Sequence, residues 1–304
     1  MTLLVALVLG VVQGLFMFVP VSSTSHLVLT QTLLRDGGSD LPASDSPELI
    51  LFDLVVHVGT LVSVVIVMGD GLKELWHGVR GEVRTGQLRP GRPGLGIGLT
   101  EAASSRLVVL MLLSVAVTGV LGLAFQDLIT GVFGSPTLVA IALIVTGGML
   151  WWTDAMTPQR SGTRLMFGWR GPTQVTVTVA VIVGAAQAVA LAPGISRSGT
   201  TIFIALLLGM QRTLAARYSF YVAIPTILAA TGVQTLQVAL GEGFGTISWG
   251  AMAVGFVTAA VVGTGALWLV LRLLEAARFR VFSVYVWVLA IVVLVAGIGV
   301  EPPV

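Results

Sequence analysis

Cysteine is absent from this 304-residue chain. That excludes disulfides, thiolate metal sites and a cysteine nucleophile together. Charge is scarce too: Asp, Glu, Lys and Arg make up 10% of the sequence, against about 25% in a soluble globular domain. No stretch interleaves basic with aromatic residues, so nothing points to a nucleic-acid surface. What remains is 56% hydrophobic with a mean hydropathy of +0.99, the composition of a polytopic membrane protein. The net charge of +2 and the sequence pI near 9.5 come from arginines gathered between apolar runs, where they report topology. The opening Met1-Thr2-Leu3-Leu4-Val5 lacks the positive start of a signal peptide and is expected to belong to the mature fold.

One arginine breaks this pattern. Pro193-Gly194-Ile195-Ser196-Arg197-Ser198-Gly199-Thr200-Thr201 places a cation, hydroxyls and glycines inside a long apolar run. An intramembrane charge is costly and usually faces a protein interior or a water-filled cavity. Pro193 and Gly194 should end a helix arriving through Val175 to Ala192, and Ser196 can cap a new one running on through Leu206. Free N–H groups beside a guanidinium suit an anion, with phosphate the first choice. The plainer alternative is an arginine snorkelling to a headgroup, a habit of helix ends.

A second interruption lies near the start. Residues 2 to 19 are apolar, Pro20 intervenes, and Ser22-Ser23-Thr24-Ser25 leads into a short apolar piece ending near Leu34. A spanning helix needs about 20 apolar residues, so the break predicts a re-entrant hairpin of two half-helices, with a single proline-kinked helix as the alternative. Full spans are expected near 49–68, 107–125, 137–152, 218–238, 248–271 and 281–299, about six in all. A polar loop over about 69–106 separates the first two, its Gly-Arg-Pro-Gly-Leu-Gly-Ile-Gly core reading as loop and not as a phosphate-binding motif. Glu242, in a short outer loop, is expected to be solvated.

The two interruptions echo each other. Gly10-Val11-Val12-Gln13 precedes Pro20 much as Gly184-Ala185-Ala186-Gln187 precedes Pro193. Folds built from repeats place binding sites where two discontinuous helices meet near the bilayer midplane. If the first hairpin enters from the outer side and the second from the inner side, loops 69–106, 153–173, 210–217 and 272–280 fall inside. They then hold 14 of the 16 Lys and Arg residues, as the positive-inside rule demands. The expected fold is one membrane domain over 1–304, an all-α polytopic protein with an inverted-topology repeat. Its first repeat covers about 1–152 and its second about 174–299.

Within that frame Ser23 and His26, three apart, share a face at a helix start. A hydroxyl beside an imidazole near an anion pocket suggests that Ser23 attacks phosphorus or positions water while His26 moves the proton. Arg197 and backbone N–H groups would stabilise charge on the phosphoryl oxygens. Asp53 and His57, four apart, can line the pocket, bind a cation or simply pair two helices. Gln13 and Gln187 each precede a break and can satisfy freed backbone groups.

These stretches resemble the undecaprenyl-diphosphate phosphatase family, also called the bacitracin-resistance family, along nearly the whole chain. The resemblance is carried by Pro193 to Thr201, Pro20 to Leu27, Phe52 to Thr60 and Tyr218 to Pro225. It implies a plasma-membrane enzyme with two re-entrant hairpins, hydrolysing a polyprenyl diphosphate to the monophosphate on the outer face and so recycling the lipid carrier for cell-envelope glycans. The implied site has Ser23, His26 and Arg197 in catalysis, with Gln13, Ser22, Ser196, Ser198, Gly199 and Thr201 binding substrate. The resemblance also implies that acidic groups of the first motif help to hold a divalent cation, Mg²⁺ or Ca²⁺, or serve as acid or base. Here Gln13 matches its first position, but Met17 stands where a glutamate is expected. A thioether is a poor ligand for a hard cation, so Asp53 is the nearest intramembrane carboxylate for that task. The partners expected are the polyprenyl diphosphate and the surrounding lipid, with room for a homodimer and none for nucleic acid. The rival reading is a polyprenyl-phosphate transporter or flippase, or a catalytically weakened homologue, using the same cradle.

Overall fold

The computed structural model describes residues 1–43, 46–86, 104–133, 135–155, 175–241 and 247–296. Among these every regular element is helical. They are α1 (Leu3–Phe18), α2 (Ser23–Asp36), α3 (Pro47–Thr85), α4 (Ser104–Ala124), α5 (Gln126–Phe133), α6 (Pro136–Ala155), α7 (Val177–Val189), α8 (Arg197–Leu207), α9 (Arg212–Leu240), α10 (Trp249–Glu275) and α11 (Arg280–Ala296). Residues 47–67 of α3, together with α4, α6, α9 and α10, are long and apolar enough to cross a membrane. The apolar stretch of α11, Arg280–Val295, is shorter. The chain is an all-helical, multi-pass membrane protein.

Local chemistry sets the helix starts. Side chains of Thr2, Ser46, Thr176 and Ser196 each accept an N–H from the first turn of α1, α3, α7 and α8, satisfying donors the helix itself leaves open. Pro47 adds a preset φ at the start of α3. Both expected interruptions are real: α1 and α2 are separate helices, and so are α7 and α8. Half-helices of 16, 14, 13 and 11 residues are shorter than a full span.

Three expectations are corrected. The stretch after residue 68 is not all loop, because α3 bends at Met68 (φ −114°, ψ 15°) and continues helically to Thr85. That extension has a structural use. The Glu82 carboxylate accepts the N–H groups of Ser104 and Ser105 at 2.8 and 2.9 Å, placing an anion at the start of α4. Residues 212–217, expected in a loop, instead open α9. Arg212 is buried there and donates to the carbonyl oxygens of Thr153 and Leu274 near the ends of α6 and α10, where a cation suits the dipoles. The short helix α5 was also unforeseen. The loop core at 91–98, Arg89, Arg92, Arg160, Arg164, Arg170 and Glu242 lie outside the described residues.

Packing relies on small residues, because lipid supplies no hydrophobic drive between helices. Helix α1 lies against α10 with Gly10 and Gly14 facing Gly255, Ala259 and Gly263. Helix α7 lies against α4 with Gly184 facing Ser114. Ser114 and Thr118 there donate to the carbonyl oxygens of Ala180 and Gly184. Each interrupted segment therefore packs on a span from the other half of the chain. A Cβ at Gly14 would sit 2.7 Å from the Ala259 carbonyl oxygen, whereas one at Gly148 meets nothing within 4 Å. Gly14→Ala is thus expected to lose about 1–3 kcal/mol to overpacking, and Gly148→Ala to be neutral or to gain up to about 1 kcal/mol in helix propensity. Thermal unfolding in detergent distinguishes the two, and equal melting temperatures would refute the close α1–α10 contact.

Candidate functional site

The first break spans residues 19–22 and holds Ser22 at φ 70°, ψ 84°. That left-handed conformation is costly for a residue with a Cβ. Its hydroxyl does not cap α2. Instead Ser22 Oγ and Ser25 Oγ, 3.1 Å apart, both accept the N–H of Gly194, at 3.1 and 2.8 Å. The two breaks are therefore joined tip to tip.

Around the second break, Gly194 has φ +88°, and a Cβ on it would come within 2.5 Å of the Val139 carbonyl oxygen. Only glycine fits such a turn so close to another backbone. Thr146 of α6 fastens it, donating to the Gly194 carbonyl oxygen and accepting the N–H of Ser196. Ser196 Oγ accepts the N–H of Gly199. The N–H groups of Arg197 and Ser198, at the positive end of α8, have no partner among the described residues, which makes this helix start suited to an anion.

The side chains of greatest chemical interest converge on Met17. Its sulfur lies 3.5 Å from Gln13 Nε2, 3.8 Å from an Arg197 terminal nitrogen and 4.0 Å from Ser23 Oγ. No carboxylate pairs with Arg197 among the described residues. Gln13 is fully buried, and its Oε1 has no hydrogen-bond partner among the described residues. Three donors thus surround one weak acceptor, the arrangement expected where an anionic oxygen belongs.

The other sequence-derived residues are placed differently. Ser22 and Ser196 hold backbone, as described. Thr201 donates to the carbonyl oxygen of Arg197 and shares a 2.5 Å hydrogen bond with Ser219, tying α8 to α9. Ser198 Oγ lies 3.5 Å from the Phe18 carbonyl oxygen, and Gly199 packs on Leu150. No hydrogen bond joins Ser23 to His26. The His26 ring is engaged by the Ser22 carbonyl oxygen and by Tyr285. Asp53 accepts both its side-chain hydrogen bonds from Gln31, at 2.9 and 3.1 Å, and His57 bonds the Asp53 carbonyl oxygen. Gln187 mirrors Gln13: it is fully buried, bonds Thr118 and Thr226, and leaves its Oε1 unpartnered. Sequence reasoning missed Ser25, Thr146, Ser219 and Tyr285. Ser25 was visible in the serine run and Ser219 lies within the stretch Tyr218 to Pro225, but nothing marked Thr146 or Tyr285 within their apolar helices.

The described side chains around Met17 do not by themselves make the donor set of a divalent cation. No group of three His, Asp or Glu side chains that could hold a metal occurs among the described residues. Next to Met17 the oxygen donors are one carboxamide and one hydroxyl, with a guanidinium beside them, whereas Mg²⁺ and Ca²⁺ require several oxygens, carboxylates among them.

Two interrupted helices meeting tip to tip in a membrane protein, with an arginine at one helix start that no carboxylate pairs with among the described residues, form an arrangement suited to anionic groups within the bilayer. The sequence comparisons narrow this class. Residues 6–292 match the family model described as bacitracin resistance protein BacA, and the chain belongs to that family. A curated relative from Alkalilimnicola ehrlichii, named undecaprenyl-diphosphatase, is 45% identical over 302 residues, covering 99% of each chain. One of the same name from Halorhodospira halophila is 44% identical over 303 residues, covering 98% of this chain and 99% of its own. An undecaprenyl-diphosphatase 2 from Stutzerimonas stutzeri is 36% identical over 99% of this chain and 100% of its own.

Proposed function

We propose that this protein hydrolyses undecaprenyl diphosphate, or a similar polyprenyl diphosphate, to the monophosphate and inorganic phosphate. The observation that carries this reading is the meeting of Ser23 and Arg197 at Met17. At the first break Ser22 and Ser25 hold Gly194, whereas Ser23 has no contact stronger than one of 4.0 Å to the Met17 sulfur. Arg197 and the free N–H groups of α8 grip the terminal phosphoryl oxygens. Ser23 Oγ, on the facing half-helix, then orients the attacking water, or attacks phosphorus itself and is freed when a water hydrolyses the phosphoserine to inorganic phosphate; the nucleophile's proton passes to His26. The bond from that phosphorus to the bridging oxygen breaks, and the lipid monophosphate leaves. Arg197 supplies the positive charge that a protein-bound cation would otherwise provide.

Purified wild-type protein in detergent is expected to release phosphate from a C55 diphosphate. One observation favours the rival transport reading, namely the thioether of Met17 among three donors. Binding of polyprenyl phosphate without any release, under every cation condition tried, would replace hydrolysis by transport.

The exchange of packing partners between the two halves supports an inverted repeat, and the Lys and Arg gathered in 69–106, 153–173, 210–217 and 272–280 support both termini and the site opening toward the outer face of the plasma membrane. Because the chain contains no cysteine, single cysteines at Gly37 and Arg84 report sidedness cleanly. Impermeant maleimide on intact cells should label Gly37→Cys and spare Arg84→Cys. Labelling of both from one side would overturn the topology.

A further inference from the structure

His26 is held by a helix from the far end of the chain. Its Nδ1 lies 2.7 Å from the Ser22 carbonyl oxygen, and its Nε2 lies 2.7 Å from the Tyr285 hydroxyl on α11. A carbonyl oxygen only accepts, so Nδ1 carries the proton. The lone pair of the neutral ring is then on Nε2, and the tyrosine O–H donates to it. The ring plane is held as well. Phe16 stacks on the imidazole at 3.9 Å between centroids and 24°, and the Tyr285 ring lies nearly parallel at 5.6 Å and 16°. No carboxylate touches this imidazole among the described residues. The orienting task that an acid often performs for a histidine falls here to a carbonyl at one nitrogen and a phenol at the other.

We infer that Tyr285 is the positioning residue of His26, its hydroxyl occupying the imidazole lone pair and its ring, with that of Phe16, fixing the imidazole plane beside the first break. A phenol suits this place because it can reverse its role. When Nε2 gains a proton, the imidazolium donates to the phenolic oxygen, the Nδ1 bond to Ser22 persists, and neither N–H loses a partner. His26 can thus change protonation state without turning its ring. The part Tyr285 plays in turnover rests on the hydrolytic reading above with His26 as its proton carrier, whereas the hydrogen bond itself does not.

Tyr285→Phe removes the hydroxyl and keeps the ring, which makes it the decisive variant. The chain has three histidines, so imidazole ¹⁵N spectra of the full-length protein in micelles are tractable, with the His26 signals assigned by their loss in His26→Asn. In Tyr285→Phe the His26 Nε2 resonance is expected to move toward that of an unbonded lone pair while Nδ1 stays in place. In turnover of the C55 diphosphate, kcat should fall roughly three- to tenfold, the worth of one hydrogen bond, with KM unchanged. Tyr285→Leu, which also loses the stacking ring, should fall further. An Nε2 resonance unmoved in Tyr285→Phe overturns the clamp whatever the activity does. A moved resonance with wild-type kcat overturns the positioning role. Failure of the wild type itself to release phosphate sinks the hydrolytic reading and leaves the spectra to decide the clamp.

Discussion

Arg197→Ala is expected to lower phosphate release from a polyprenyl diphosphate by about a thousandfold or more, on the order of 4 kcal/mol of transition-state stabilisation. The size follows from what is left. Without the guanidinium, the remaining donors for the phosphoryl oxygens are the N–H groups at the start of α8, since Gln13 Nε2 and Ser23 are drawn to Met17. Arg197→Lys keeps the charge but loses the two-pronged geometry, and should retain more, with losses of about ten- to a hundredfold. Stability should move the other way. Arg197 sits inside the bundle with no carboxylate partner among the described residues, so an apolar residue of similar reach is favoured there in the absence of substrate. Arg197→Met is therefore expected to melt at or above the wild-type temperature while losing activity. A variant that lost both together would show that the arginine holds the fold and not the phosphate, and one that kept activity would show that the phosphate does not need it.

Met17→Glu is the second large effect, in the opposite direction. Position 17 is 6% exposed, and its sulfur is the point to which Gln13, Ser23 and Arg197 turn. A carboxylate at this point would accept from all three and offer a hard oxygen ligand beside the diphosphate. Phosphate release should rise about tenfold or more, on the scale of one added acid–base or metal-ligating group. It should also become sensitive to EDTA and respond to Mg²⁺ or Ca²⁺. Because the new carboxylate competes with the diphosphate for the Arg197 guanidinium, KM should rise while kcat gains. Met17→Gln, which brings an oxygen without charge, should gain far less. An unchanged or reduced kcat in Met17→Glu would mean that this pocket does its chemistry without an acid at that position.

How far the site was legible depends on the distance over which each residue acts. The two breaks were readable because proline, glycine and serine act on their own backbone: Pro193-Gly194 stops α7, and Ser196 caps α8 within three residues. Arg197 was readable because a charge in an apolar run has few explanations. The departure at Met17 was readable as a residue type but not as a meeting point. The pairing of Ser23 with His26 was a reasonable inference from a three-residue spacing, yet the structure divides them. Ser23 turns to Met17, while His26 turns to a tyrosine 259 residues away. The helical extension of α3 to Thr85 escaped a reading based on hydropathy, because polar residues form helix readily and Glu82 finds its use only against the start of α4.

Composition and local pattern alone therefore determined that the chain crosses a membrane repeatedly as helices. They also located its two interruptions and its one misplaced cation, since each of these is a matter of a few neighbouring residues and their cost in lipid. Only the tertiary structure decided which groups face one another: Ser22 and Ser25 on Gly194, Gln13 and Arg197 on Met17, Tyr285 on His26. Those pairings depend on glycine-lined helices from opposite halves of the chain approaching until their backbones touch. No local propensity encodes such an approach, because van der Waals packing between distant segments rewards it only once both surfaces are formed.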